Sequence, residues 1–197
     1  MEPMEITLLV LLVLTTLATV CGMQFKNMYY ILISQLVSNT LLMLQYLFTD
    51  GISQAGLVIV AIVQTLISFI LSTKNIEFPV WLTGVFMAAF VVVTVIYYKG
   101  PLDIVTCVAV WCFAIAIVQK KSWICRTFSA LNVILWLIYD FGTATYSAAV
   151  THLVIICFTA VAIIRLDRAD WKAFIRSIFG KKSKDEIPET SENTVSK

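Results

Sequence analysis

Asn39 and Asn132 each lie near the middle of a long apolar stretch. A carboxamide offers two donors and an acceptor, and inside hydrocarbon it must find a partner or a water-lined cavity. Tyr46 and Tyr139 follow seven residues after each asparagine, two turns along the same helix face. Trp136 lies on that face between Asn132 and Tyr139, at the place where the first stretch has Met43. Gln64 and Trp111 are central in two further apolar stretches, and Gln35 lies one turn below Asn39. Two readings fit these residues. In one, the amides are glue between helices, stabilising a bundle by about 0.5–2 kcal/mol. In the other, Asn39, Asn132, Trp136, Trp111, Gln64, Tyr46 and Tyr139 line a site for a polar solute, with the two tryptophans as stacking walls. The lack of acids inside the apolar runs argues for an uncharged solute and against strong ion coupling.

Other chemistry has fewer parts to work with. His152 is the only histidine, so a metal site would need thiols or carboxylates to complete it. Cys157 is off its face, and a structural hydrogen bond is the expected role for His152. The five cysteines lie in or at the ends of apolar runs without a C-x-x-C spacing, which reads as packing rather than a disulfide framework. Asp50 and Asp140 fall near the ends of their stretches and read as solvated rim charges. No lysine lies inside an apolar span, so a retinal-type Schiff base has no attachment point. No phosphate loop, nucleophile elbow or zinc-protease motif occurs. The expectation is a protein that is not an enzyme and carries no cofactor and no metal.

The elements that must position these side chains are helices crossing a bilayer. The chain is 60% hydrophobic and 13% charged over 197 residues, against about a quarter charged in a soluble domain. Ile6–Phe25, Asn27–Thr49, Gly51–Thr73, Phe78–Tyr98, Ile104–Gln119 and Phe141–Ile164 hold no Asp, Glu, Lys or Arg, and most reach the roughly 20 residues that span hydrocarbon. The pattern predicts an all-α integral membrane protein with seven spans, near 6–22, 28–48, 54–72, 79–98, 102–118, 124–141 and 147–164. The first is expected to be retained, since Glu2 and Glu5 precede it rather than basic residues. Pro79 and Pro101 open two spans where a missing N–H costs little. The sixth crosses only if Arg126 snorkels to the headgroups. Seven spans gather all but Lys99 of the 14 basic residues on one side, so the C-terminus is predicted cytoplasmic and the N-terminus outside. Beyond the last span, Trp171, Phe174, Ile175 and Ile178 alternate with Arg168, Lys172 and Arg176, predicting an amphipathic helix over 165–180 that lies on anionic lipid. The tail over 181–197 is polar and reads as disordered.

A shift of 93 residues lays Asn39 on Asn132, Leu42 on Leu135, Tyr46 on Tyr139 and Phe48 on Phe141. The implied plan is a three-helix repeat in 1–73, a linker helix at 79–98 and a second, like-oriented repeat in 102–164. A connecting span is needed because three helices end on the face opposite their start. Parallel repeats about an axis along the membrane normal are a known transporter plan.

At Gln24-Phe25-Lys26-Asn27 and at Trp136-Leu137-Ile138-Tyr139-Asp140 the chain resembles the YgjV family of small bacterial inner-membrane proteins. The resemblance implies location in the bacterial cytoplasmic membrane and no established activity. Where that family tends to carry a histidine at the end of the second span, this chain has Gln45 and Tyr46. The three-plus-one-plus-three plan is also similar to SWEET-type and PnuC-type transporters, although the mid-helix prolines that act as hinges in the sugar carriers are missing. The function expected is a small-molecule transporter or facilitator; the alternative is a structural or accessory membrane component. The partners expected are the lipid bilayer, a small polar solute and anionic lipid at the basic C-terminal segment. Nothing points to nucleic acid, and self-association stays open.

Overall fold

A computed structural model describes residues 3–48 and 52–182. Asp50 and the tail from residue 183 onward lie outside the described residues. Among those described, the chain forms α-helices and no strand: α1 Pro3–Gln24, α2 Met28–Phe48, α3 Ile52–Thr73, α4 Val80–Ile96, α5 Leu102–Ile117, α6 Ser122–Gly142, α7 Tyr146–Leu166 and α8 Arg168–Lys182. Local chemistry sets the breaks. Asn27 caps α2, its Oδ1 accepting the Tyr29 N–H at 3.0 Å. Asn75 takes a left-handed φ of 55° just past α3, and the Ile76 N–H closes back on the Leu71 carbonyl at 2.9 Å. The Asp103 carboxylate accepts the backbone N–H groups of Lys99 and Gly100 at 2.6 and 3.0 Å, tying down the entry to α5.

Five of these helices, α1, α2, α3, α6 and α7, are long and apolar enough to cross a membrane. The other two apolar helices, α4 and α5, are shorter, at 17 and 16 residues. At about 1.5 Å per residue they reach roughly 25 Å.

Packing follows a closed order. Helix α2 lies against α1 and α3, α6 lies against α5 and α7, and the contacts α3–α5 and α1–α7 complete a ring, with α4 outside against α3 and α5. At one end of the ring Lys120 pairs with Glu77 at 2.6 Å, joining the α3–α4 and α5–α6 connections. That hydrogen bond and the lysine charge hold the Glu77 carboxyl below its ordinary range. At the same end Arg165 donates to the Gln24 side chain at 2.9 Å. At the opposite end Gln54, Tyr97, Lys99, Asp103 and Tyr139 come together around a small cavity of about 50 Å³. The α4–α5 connection therefore lies toward the opposite end of the bundle from the Glu77–Lys120 pair.

The exterior is unlike that of a soluble domain, being covered by large apolar side chains. Val80 and Trp81 are 86% and 70% exposed, and Leu17, Val13, Ile59, Val92 and Val161 also face outward. Gln35, Ser38, Asn39, Gln64, Thr65, Ser129 and Thr159 are buried. An apolar girdle around polar interior positions is stable only when hydrocarbon is the surrounding solvent.

Candidate functional site

The ring encloses a cavity of about 500 Å³, within the size range of small-molecule sites. All six ring helices contribute to its wall and α4 does not. From α1 come Thr15 and Thr19, and from α2 Gln35, Ser38, Asn39, Gln45 and Tyr46. Helix α3 adds Gln54, α5 adds Val110 and Phe113, α6 adds Asn132, Trp136, Tyr139 and Asp140, and α7 adds Thr151 and His152. The α1–α2 side is knit together first: Thr19 Oγ1 and Ser38 Oγ are 2.9 Å apart. The side chain of Ser34 donates to the Ala18 carbonyl.

Five of the seven residues expected from sequence, Asn39, Asn132, Trp136, Tyr46 and Tyr139, line this one cavity. Asn39 is 8% exposed, and its Nδ2 has no hydrogen-bond partner; neither does the buried Oδ1 of Asn132. Two residues of the cavity wall thus each keep a buried polar atom without a protein partner, a costly arrangement. Trp136 stands edge-on to Tyr139, ring centroids 5.7 Å apart.

Gln64 and Trp111 lie elsewhere. Gln64 is fully buried between α3 and α5, where its Nε2 donates to the Ala114 carbonyl at 3.0 Å. It acts as glue between two helices. Trp111 is 36% exposed and donates from Nε1 to the Met87 carbonyl of α4 at 3.3 Å. Its indole faces outward because α5 turns its other side, with Val110 and Phe113, to the ring.

Two expectations about charged residues are corrected. Asp140 is no solvated rim charge: it is 4% exposed, in the cavity wall. His152 Nδ1 lies 2.5 Å from its Oδ2, a hydrogen bond between the imidazole and the carboxyl group. The imidazole also stacks on Trp136 with centroids 6.3 Å apart and planes at 23°. The premise that no acid lies inside the bundle fails at this residue. Nor does Arg126 snorkel. It is fully buried, its Nη1 bridging both Asp167 oxygens at 2.6 and 2.7 Å, its Nε donating to the Met23 carbonyl at 2.9 Å and its Nη2 to that of Phe25. Both partnerships join positions far apart in the chain, so composition and spacing carried no sign of them.

Among the described residues no group of His, Cys, Asp and Glu could hold a metal ion.

The geometry defines a class: a polytopic α-helical membrane protein with a cavity between its helices, lined by apolar side chains and a set of polar ones. The match with Imp-YgjV, bacterial inner membrane protein, covers residues 7–170. The chain belongs to this family, and its place is the bacterial inner membrane. Comparison with curated proteins and with solved structures gives no match.

Proposed function

We propose that the protein is a transporter or facilitator for a small polar solute, which occupies the cavity between two like-oriented three-helix units. The observation that carries this reading is the pair of asparagines. Asn39 and Asn132 hold equivalent places in α2 and α6 and line the same cavity, and each keeps a buried polar atom that no protein group satisfies. The ring order supports the repeat, because exchanging α1 with α5, α2 with α6 and α3 with α7 returns the same set of neighbours. The place of the α4–α5 connection, toward the opposite end from the Glu77–Lys120 pair, supports seven spans, with Pro79 and Pro101 at the entries of the two helices. In that topology the N-terminus is outside, the basic end of the bundle faces the cytoplasm, and α8 meets the anionic inner leaflet through Arg168, Lys172 and Arg176. The reading involves no covalent chemistry and no cofactor. The buried Asp140 removes the reason for requiring an uncharged solute.

The test is a thermal-shift screen of polar metabolites on the purified protein, repeated on Asn39→Ala and Asn132→Ala. At least one solute is expected to raise the melting temperature, with affinity falling about tenfold or more in each variant, the loss of one good hydrogen bond. A binder indifferent to both substitutions excludes this site. A screen in which no solute registers favours a non-transporting structural or accessory component.

A further inference from the structure

We infer that the solute of this cavity is a small organic cation, its positive charge held between the Asp140 carboxylate and the aromatic walls beside it. The inference rests on the solute-cavity reading and adds a charge to it. Among the described residues lining the cavity Asp140 is the sole carboxylate, and no lysine or arginine joins it. Its side chain is 6% exposed, and its partner His152 is charged only if protonated. With neutral histidine the wall carries one net negative charge amid amides, hydroxyls and aromatic rings. In a low-dielectric bundle such a charge attracts a cation far more strongly than it would in water and opposes an anion.

The surrounding groups suit the same occupant. Trp136 and Tyr139 meet edge-to-face beside Asp140, and Tyr46 reaches the cavity from α2. The faces of Trp and Tyr rings attract cations. Asn132, Trp136 and Asp140 follow one another at four-residue spacing on α6, which places the asparagine about 12 Å along the helix from the acid. Rotation of the Asn39 and Asn132 carboxamides, whose buried Nδ2 and Oδ1 lack protein partners, brings a polar group to the far end of the solute. The recognised class is an amine at the Asp140 end with a hydroxyl or carbonyl group toward the asparagines. Lys99 is no competitor within this space, since it lines only the smaller side cavity.

Three near-isosteric probes differing in charge decide the point: benzylammonium, benzyl alcohol and benzoate, titrated at equal ionic strength into the full-length purified protein. Tryptophan fluorescence and melting temperature are the readouts. Benzylammonium is expected to bind about tenfold or more tighter than the alcohol, with benzoate weakest. In Asp140→Asn the cation should lose this advantage while the alcohol is unaffected, and Asp140→Glu should restore it. Equal binding of cation and alcohol to the unaltered protein overturns the inference, as does a cation preference that survives Asp140→Asn. Either result leaves the asparagine site standing, because that is tested by its own substitutions. If no probe binds, the cation inference fails. If Asp140→Asn does not fold, the charge series on the unaltered protein decides alone.

Discussion

Arg126 is the largest fully buried side chain among the described residues, and all three of its guanidinium nitrogens are hydrogen-bonded. Asp167 sits at the break between α7 and α8 and takes one guanidinium nitrogen on both oxygens, while two carbonyls at the α1–α2 corner take the others. Such a pair contributes little net stability when complete but is costly to break, because the survivor is a buried, unpaired charge. Arg126→Met should therefore destabilise the protein by about 3–5 kcal/mol, leaving Asp167 and both carbonyls unmet. Asp167→Leu should cost less, since the guanidinium keeps its carbonyls. The double variant should be more stable than Arg126→Met alone. Unfolding of the purified protein by denaturant, with all three compared against the parent, checks the order; additive losses would refute the coupling. The same reasoning explains what reading the chain in order left out. Asn39 and Asn132 announced themselves by being amides in apolar runs, whereas Arg126 and Asp140 draw their roles from Asp167 and His152, partners supplied only by tertiary packing.

Between helices, close approach is set by small residues. Ala18 and Gly22 on α1, four residues apart, face Ser34 on α2, and one turn along Thr15 and Thr19 meet Ser38. A Cβ on Gly22 would run directly into the Ser34 side chain. Small residues at four-residue spacing let helix backbones approach where lipid gives no hydrophobic drive for association. Gly22→Val should push α1 off α2, lower the melting temperature by several degrees and enlarge or open the cavity wall formed by Thr15 and Thr19. Gly84→Ala is the control, since nothing lies within 4 Å of a Cβ there. Melting curves of the two variants test this, and equal melting temperatures would refute it. Helix bounds were readable from charge-free runs, Pro79, Pro101 and Asn27, and the observed limits differ from the expected ones by a few residues. Which face of each helix turns inward was less so. Five of seven site residues share the cavity because they lie on α2 and α6, whose polar face is narrow and marked by repeated Asn and Tyr. Trp111 lies on α5, where apolar residues cover nearly every face and periodicity carries no direction, while Gln64 lies on α3 beside the buried Thr65 and Ser68 but bonds to α5 instead of reaching the cavity.

At the scale of the whole molecule, the prediction to test is that α4 and α5 cross the bilayer. Their 17 and 16 residues are fewer than the 21–22 of their neighbours, and a span of roughly 25 Å falls short of a hydrocarbon core of about 30 Å. Packing argues that they cross nonetheless. The ion pair of Glu77 with Lys120 and the side cavity shared by Gln54, Lys99 and Tyr139 lie at opposite ends of the bundle, and α4 and α5 join these ends. Tyr97, Tyr98 and Lys99 cluster where α4 stops, and interfacial aromatics and a snorkelling lysine are what lets a short helix sit in a locally thinned bilayer. The alternative is a five-span protein in which the α4–α5 pair stays on the cytoplasmic side. The two differ at one residue. In intact cells a membrane-impermeant maleimide should label Lys99→Cys in a background with the native cysteines replaced, while Lys74→Cys should react only after the membrane is permeabilised. If both positions are shielded until permeabilisation, α4 and α5 do not cross, the like-oriented repeat loses the connector it requires, and the exchange of α1–α3 with α5–α7 can no longer describe a pathway through the membrane.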